Sequence, residues 1–415
     1  MLRRNKWMLL LIISLLLTAC SDKSEPEAPW KPEPLGAIDA LSGKTAEEYF
    51  HDKGLFIGWN LGNQYDAAQG SNGSGFENGW VGAPVTKQLF VKVKEAGFNL
   101  IRLPVTWRNQ MGTEPPYAVN TVYMARIVEV AEWAHEAGLA VIVNVHHDGA
   151  TRKDNNGVIT RNWLSPTLAA ANNGADYDKI TARYTALWEQ IAEAFKDYGD
   201  WLIFEPFNEL HDGNWGTNPP ARELEIINEW NQLFTNIVRE SGGNNAQRFL
   251  VVQPYCAKLS AARSSAFTLP TDTVEGKQIV SIHFYDPEDF ALRGTESEWG
   301  TSADIRNSMT TPLTNLKTKF TSKGIPVIIG ECGAVYQPYP SNPAKEDTAH
   351  ANRVKYHTEL CKTAKDFGLI PVYWDNGTLT GGEKFAIFDR ATGEYKQHNN
   401  GKSKEVIDAM MKNIK

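Results

Sequence analysis

The sequence predicts an α/β protein folded as a (β/α)8 TIM barrel, and two observations lead to that fold class. From about residue 44, short β-branched runs alternate with longer stretches of helical periodicity, which is typical of parallel α/β architecture. Several of the short runs are apolar throughout, as expected of strands buried on both faces. Eight such units favour a closed barrel over a doubly wound open sheet, which more often has about five to seven strands.

The eight strands are predicted at residues 56–63, 99–105, 140–146, 202–208, 248–254, 278–284, 325–331 and 370–375. Between them, helical stretches such as 122–138 and 180–199 end in glycine, the usual C-terminal stop of a helix. No internal repeat is visible beyond the βα unit. A single catalytic-size domain, residues 44–415, therefore accounts for the folded part.

Residues 1–20 predict an export signal. Basic residues within 3–6 precede an apolar run, 7–19, that is 13 residues long. A permanent transmembrane helix is the alternative, but it needs roughly 20 residues. Residues 16–19 before Cys20 resemble the bacterial lipoprotein box, in which the cysteine is lipidated after cleavage. We therefore expect Cys20 to carry a lipid that anchors the protein without spanning the membrane.

Residues 21–43 are rich in Pro, Glu and Ser, which predicts a flexible tether. The Ser21-Asp22 start resembles signals for outer-membrane delivery in Gram-negative bacteria. We expect an exported monomer on the outer membrane or cell surface, in contact with the membrane through its lipid alone.

Charge and cysteine content exclude several classes of partner and scaffold. The net charge of −7 and the lack of long basic runs argue against nucleic acid and favour a neutral substrate. Apart from Cys20, the cysteines are Cys256, Cys332 and Cys361, whose spacing predicts no disulfide framework.

Polar and aromatic residues mark the carboxyl ends of the predicted strands, where the reactive groups of such barrels lie. One such residue alone would more often be structural, but residues in register at seven strand ends indicate a site. The residues are Asn60, Asn63, Arg102, His146, His147, Asn208, Glu209, His283, Tyr285, Glu331 and Trp374.

Two carboxylates among them, Glu209 and Glu331, can flank a scissile bond from opposite sides, as glycoside hydrolysis requires. Arg102 and the Tyr285 hydroxyl could hold Glu331 ionised, while a drier, less compensated Glu209 keeps its proton. Each carboxylate alone could instead be a salt-bridged structural residue.

Other chemistries fit the sequence less well. His146, His147 and Asp148 suggest a metal site, but adjacent residues at a strand end tend to diverge and no recognised ligand spacing is present. A serine nucleophile would need a G-x-S-x-G turn, which is absent. We therefore expect no metal and no cofactor, and we expect Cys332 to be a small core residue.

Aromatic residues in the loops after the strands suggest a row of sugar subsites, because their faces stack on the C–H faces of sugar rings. Core packing is the alternative, and we expect it for Trp133 and Trp188 on helices. The candidate sugar contacts are Trp59, Trp107, Trp163, Trp215, Trp299, Tyr336 and Tyr339.

Seven segments carry a resemblance to a known family. GWNLGN, IRLPVTW, VNVHHD, FEPFNE, SIHFY, IGECG and VYWDNG, in that order between residues 55 and 377, resemble family 5 of the glycoside hydrolases, the cellulase family. Leu210 and Cys332 depart from the family's frequent NEP and GEFG strings, and neither departure removes a reacting group.

The resemblance implies roles for individual residues. Glu209 would be the proton donor and Glu331 the nucleophile, with Asn208 bound to the sugar 2-hydroxyl. The supporting residues would be Arg102, His146, His283 and Tyr285, and the substrate-binding residues Asn63, His147 and Trp374.

The function that the resemblance implies is that of a retaining endo-β-1,4-glycanase acting on cellulose, mixed-linkage glucan or xyloglucan. A retaining mechanism requires the two carboxyl groups about 5–5.5 Å apart. A β-mannanase of the same family is the first alternative. A non-catalytic glycan-binding protein would be signalled by replacement of residue 209 or 331, and a transglycosylase would use the same intermediate.

Overall fold

Eight parallel strands close into a barrel in the computed structural model of the chain, which describes residues 41–67, 77, 79–154, 156–171, 174–396 and 402–415. The predicted signal, Cys20 and most of the predicted tether lie outside the described residues. The (β/α)8 fold class is confirmed.

The barrel strands agree with all eight predicted positions and are mostly shorter at their ends. In chain order they are β1 (Gly58–Leu61), β2 (Leu100–Leu103), β3 (Ala140–Asn144), β6 (Leu202–Glu205), β7 (Leu250–Val252), β8 (Gln278–Phe284), β9 (Val327–Cys332) and β10 (Leu369–Asp375). Neighbours around the barrel follow the order β1, β10, β9, β8, β7, β6, β3, β2, so β1 and β10 close the ring. A small antiparallel hairpin of β4 (Thr151–Lys153) and β5 (Ile159–Arg161) follows β3 and was not predicted.

Helices surround the barrel. They are α1 (Ala46–Asp52), α2 (Lys87–Glu95), α3 (Thr121–Glu136), α4 (Pro166–Ala170), α5 (Ala175–Ala194), α6 (Ala221–Glu240), α7 (Leu259–Arg263), α8 (Glu288–Ala291), α9 (Ser302–Ile305), α10 (Thr311–Lys319), α11 (Pro343–Phe367) and α12 (Lys402–Ile414). Among the described residues, none of these helices combines the length and the apolar character needed to cross a bilayer.

The local sequence sets where several helices begin and end. Thr45 and Glu48 form a capping box at the start of α1. The Asn120 side chain accepts from the backbone N–H of Tyr123 at the start of α3. Gly368 ends α11 in the left-handed conformation, with φ 68°, which glycine adopts without steric cost.

The barrel interior is apolar at its amino-terminal end. Side chains of successive strands, among them Leu100, Ile142, Ile203 and Ile328, form one buried cluster with residues of α1. The backbone N–H of Ala46 also donates to the carbonyl of Gly276, just before β8. Helix α1 therefore closes the amino-terminal end, and the predicted site residues lie at the carboxyl end.

Candidate active site

Arg102 on β2 lies at the centre of the polar groups at the carboxyl end of the barrel. Its side chain is completely buried. Nε donates to Glu205 Oε2 at 2.6 Å, and Nη2 donates to Asn208 Oδ1 at 2.8 Å. Nη1 donates to Glu331 Oε1 at 2.9 Å and to Asn60 Oδ1 at 3.1 Å. One guanidinium thus positions four groups on or just after three other strands, β1, β6 and β9.

Glu331 on β9 is held by two donors. Besides Arg102, the Tyr285 hydroxyl donates to its Oε2 at 3.2 Å, so both predicted contacts are present. The Glu331 side chain is 8% exposed. Burial raises the pKa of this carboxyl, whereas His283 and Arg102 act in the opposite direction. These partners favour the ionised form in a position where burial disfavours it.

Glu209, which follows β6, has fewer partners than Glu331 that offset the effect of burial on its pKa. Its Oε1 lies 2.7 Å from His283 Nδ1. Burial raises the pKa of Glu209 to about 7, and Arg102 and Lys258 offset only part of this rise. The expectation that Glu209 is the drier carboxylate is wrong, because its side chain is 23% exposed against 8% for Glu331. Glu209 differs by lacking the Arg102 and Tyr285 hydrogen bonds.

The two carboxylates face each other across His283. One oxygen of each lies within 4.8 Å of an oxygen of the other. The Nδ1 atom of His283 is 2.7 Å from Glu209 Oε1 and 3.5 Å from Glu331 Oε2. Burial lowers the pKa of His283 to about 4, so its ring is neutral near pH 7.

His146 is fixed in one tautomer by a chain of hydrogen bonds. The backbone N–H of Val105 donates to Asn144 Oδ1 at 3.0 Å, which orients that amide. Asn144 Nδ2 then faces His146 Nδ1 at 3.1 Å. Because the amide nitrogen can only donate, Nδ1 accepts, and the proton of the neutral ring is on Nε2. The ring lies parallel to Trp374, with centroids 5.9 Å apart.

His147 and Asn63 complete the predicted site residues. The ring centroid of His147 lies 4.4 Å from that of His146 and 5.6 Å from that of Trp80, a residue not predicted. The half-buried Asn63 follows β1 with φ 60°, a left-handed conformation that asparagine tolerates.

One argument against a metal site is wrong, namely that adjacent residues at the end of β3 diverge. His146 and His147 converge, and Asp148 instead faces away and accepts from the backbone N–H of Trp107 and from Trp163 Nε1. Asp66 takes its place, and one atom from each of Asp66, His146 and His147 lies within 4.8 Å of the others. A cation at this position would have to bind Nε2 of His146. That nitrogen carries the proton of the neutral ring and has no free lone pair. Glu209, His283 and Glu331 form the other such group among the described residues.

Several predicted sugar platforms belong to the core. Trp59 and Trp107 are completely buried, and their indole N–H groups donate to Asp375 Oδ2 and to the Asn144 carbonyl. Trp299 packs on Phe290 and Tyr356. Tyr336 is also buried and donates to Glu346. These four predictions are wrong, because each ring faces other protein groups.

The other aromatic side chains considered in the sequence differ in their exposure to solvent. Trp215 is 54% exposed and stacks on His211, with centroids 4.3 Å apart. Trp163 and Tyr339 are half-buried. Trp188 lies in the core as expected, and Trp133 packs against the core half-buried. Cys332 is a buried core residue, as expected.

Arg102→Met is expected to destabilise the protein by about 3–5 kcal/mol at pH 7, because Glu205 and Glu331 lose their buried counter-charge. The loss should shrink at pH 5, because burial raises the pKa of Glu331 and the unpaired carboxyl of Glu331 can take up a proton. Urea unfolding at both pH values measures it. Arg222→Met breaks an exposed ion pair and should cost less than about 1 kcal/mol. Equal losses in the two variants would contradict the central role of Arg102.

Comparison with known proteins identifies the family. The chain matches Cellulase (glycosyl hydrolase family 5) over residues 63–379. It is 33% identical over 378 residues to Endoglucanase A of Paenibacillus barcinonensis, covering 86% of this chain and 88% of that relative.

Two solved structures are similar over nearly their whole length. A broad specificity endoglucanase from Bacteroides salanitronis has a TM-score of 0.79 at 36% identity, covering 93% of this chain and 99% of that one. Another, from Ruminococcus champanellensis with bound cellotriose, has a TM-score of 0.76 at 34% identity, covering 90% and 100%. The chain therefore belongs to the cellulase family, glycosyl hydrolase family 5, and is a glycoside hydrolase of the cellulase type.

Proposed function

We propose that the protein is a retaining endo-β-1,4-glucanase that cleaves internal linkages of β-glucans by double displacement. The observation that carries the proposal is the pair Glu209 and Glu331, with an oxygen of each within 4.8 Å of the other. Retaining glycosidases hold their carboxyl groups about 5–5.5 Å apart, whereas inverting enzymes need about 6.5–9.5 Å to admit a water molecule.

In the first step, protonated Glu209 donates its proton to the glycosidic oxygen as that bond breaks. Glu331 attacks the anomeric carbon and forms a glycosyl ester. The raised pKa of Glu209, about 7, keeps its proton available at mildly acidic pH. Arg102 and Tyr285 hold Glu331 in place for the attack through hydrogen bonds to its two oxygens.

In the second step, water replaces the leaving group. Glu209, now a carboxylate, takes a proton from the water, whose oxygen attacks the anomeric carbon and releases Glu331 as a carboxylate. The hydrogen bond to His283 keeps Glu209 oriented in both steps. Both carboxyls thereby return to their starting protonation states.

Sugar contacts follow from the surrounding side chains. Arg102 occupies the Oδ1 atom of Asn208, which leaves the amide NH2 group to donate to the sugar 2-hydroxyl. Trp374 provides an aromatic floor beside His146. We assign Asn63 and His147 to substrate binding at the same end of the barrel.

The substrate class is drawn from the relatives. A family member with cellotriose bound and another of broad specificity support β-1,4-linked glucan as the substrate of this chain. The net charge of −7 also favours a neutral polysaccharide.

Product release from carboxymethylcellulose, barley β-glucan, xyloglucan and mannan tests the proposal. We expect the chain to release oligosaccharides from one or more of the glucans, and Glu331→Ala to abolish this release because no ester can form. Mannan as the preferred substrate would make the protein a β-mannanase. Glycan binding without cleavage would make it a binding protein, and a product longer than the substrate would indicate transglycosylation.

The pH dependence tests the role of Glu209. We expect kcat/KM to fall as pH rises through about 7, because a proton donor must carry its proton. On 2,4-dinitrophenyl β-cellobioside, whose leaving group needs little protonation, Glu209→Gln should lose this alkaline limb. An alkaline limb that persists unchanged in Glu209→Gln would assign it to another group.

We also propose that Cys20 is lipidated and that residues 21–43 tether the barrel to the outer membrane or cell surface as a monomer. The sequence around Cys20 is the support. In a Gram-negative host, the full chain should incorporate labelled palmitate and sediment with membranes, whereas Cys20→Ser should do neither. Label retained by Cys20→Ser would contradict the proposal.

A further inference from the structure

Asp66, in the loop after β1, is a buried carboxyl without a side-chain hydrogen-bond partner in the described part of the chain. Its side chain is completely inaccessible, and no side chain in the described part of the protein hydrogen-bonds to either oxygen. Burial raises the pKa of this carboxyl to about 7, and the backbone N–H groups of Asn63 and Asp66 offset only part of that rise. Burying such a group costs free energy unless it is compensated. Two imidazole nitrogens at the active site face this carboxyl, with His147 Nε2 at 3.8 Å and His146 Nε2 at 3.9 Å from Oδ2.

The N–H of His146 stands between two carboxyl groups. Nε2 carries the proton, because Nδ1 accepts from Asn144. This nitrogen is 3.9 Å from Asp66 Oδ2 and also 3.9 Å from Glu331 Oε1. A shift of roughly 1 Å toward either oxygen would produce an ordinary hydrogen bond. The N–H of His146 is therefore equally close to Glu331, the proposed nucleophile, and to Asp66, a second acceptor.

We propose that Asp66 is a positioning residue that competes with Glu331 for the N–H of His146. The inference rests on the proposed function, since it assigns Asp66 to the same double displacement. In the free enzyme, Asp66 draws this donor away, so that the nucleophile keeps only its Arg102 and Tyr285 hydrogen bonds. In the glycosyl ester, Glu331 is a weaker acceptor, and the N–H turns to Asp66.

The competition affects the two chemical steps in opposite directions. A further donor on the Glu331 carboxylate stabilises its charge, which lowers its pKa and its nucleophilicity. The same stabilisation makes Glu331 a better leaving group from the glycosyl ester. Removal of Asp66 should therefore slow formation of the ester and leave its hydrolysis unchanged or faster.

Other charged groups face these two carboxyls. Around Asp66 they are the two imidazoles and Glu331, with Arg390 acting from the loop after β10. Around Glu331 they are Arg102, Tyr285, His146, His283 and Glu209. A variant at residue 66 leaves every other member of both sets in place, so a changed pH profile reports on Asp66 itself.

The test uses Asp66→Leu in the full chain, which removes the acceptor and keeps a similar volume. With 4-nitrophenyl β-cellobioside we expect kcat/KM to fall about 10-fold and its acid limb to move to lower pH by about one unit. With 2,4-dinitrophenyl β-cellobioside, where ester hydrolysis limits turnover, we expect kcat to be unchanged or higher. Asp66→Asn, which retains an acceptor oxygen, should have the acid limb of its kcat/KM profile close to the wild-type pH.

Controls separate positioning from loss of structure. The melting temperature of Asp66→Leu should change little, because no side chain in the described part of the protein hydrogen-bonds to the lost carboxyl. Asp66→Ala provides a second acceptor-free variant if the leucine does not fit. Asp200→Leu is the matched control, since Asp200 is also buried with one unpartnered oxygen but lies just before β6, at the opposite end of the barrel. The acid limb of the kcat/KM profile of Asp200→Leu should lie at the same pH as in the wild type.

The outcomes are distinct. A wild-type chain that cleaves no glucan would contradict the proposed function itself. An active wild type whose acid limb is unmoved in Asp66→Leu and Asp66→Ala would overturn the role of Asp66. Equal losses of kcat on both substrates would also overturn it, because a structural defect slows both steps.

Discussion

The buried charge of Arg102 is the constraint on which the active site depends. Burying a guanidinium is costly unless its charge is compensated, and Glu205 and Glu331 provide the counter-charges for Arg102. The same side chain fixes Asn60 and Asn208 through neutral hydrogen bonds. Since these partners come from different strands, the closure of the barrel and the geometry of the site are parts of one network.

That network also separates two chemically identical side chains. Glu331 lies on the side of Arg102 and Tyr285, where burial is offset by donors to both oxygens. Glu209 has His283 as its hydrogen-bond partner, and its pKa rises to about 7. Compensation by hydrogen bonds, rather than the extent of burial, distinguishes the two carboxyls and supports the proposed roles of Glu331 as nucleophile and Glu209 as acid.

The sequence predicted the barrel because eight apolar strands leave a strong local pattern, and it predicted the strand-end residues because a parallel barrel gathers them at one end. The β4–β5 hairpin was missed, since its two three-residue strands are too short to show periodicity. Asp66 was missed because its approach to His146 depends on loop packing. Trp59 and Trp107 were assigned to sugar binding because sequence does not report which way a ring turns.

The proposed mechanism depends on a covalent ester formed by Glu331 and on Glu209 acting in both steps. The configuration of the newly formed sugar end tests it most directly, by proton NMR within the first minutes of hydrolysis of a soluble β-glucan oligosaccharide. Double displacement predicts that the β-anomer appears first and that the α-anomer accumulates later by mutarotation. Initial formation of the α-anomer would contradict the account, since it requires direct attack by water.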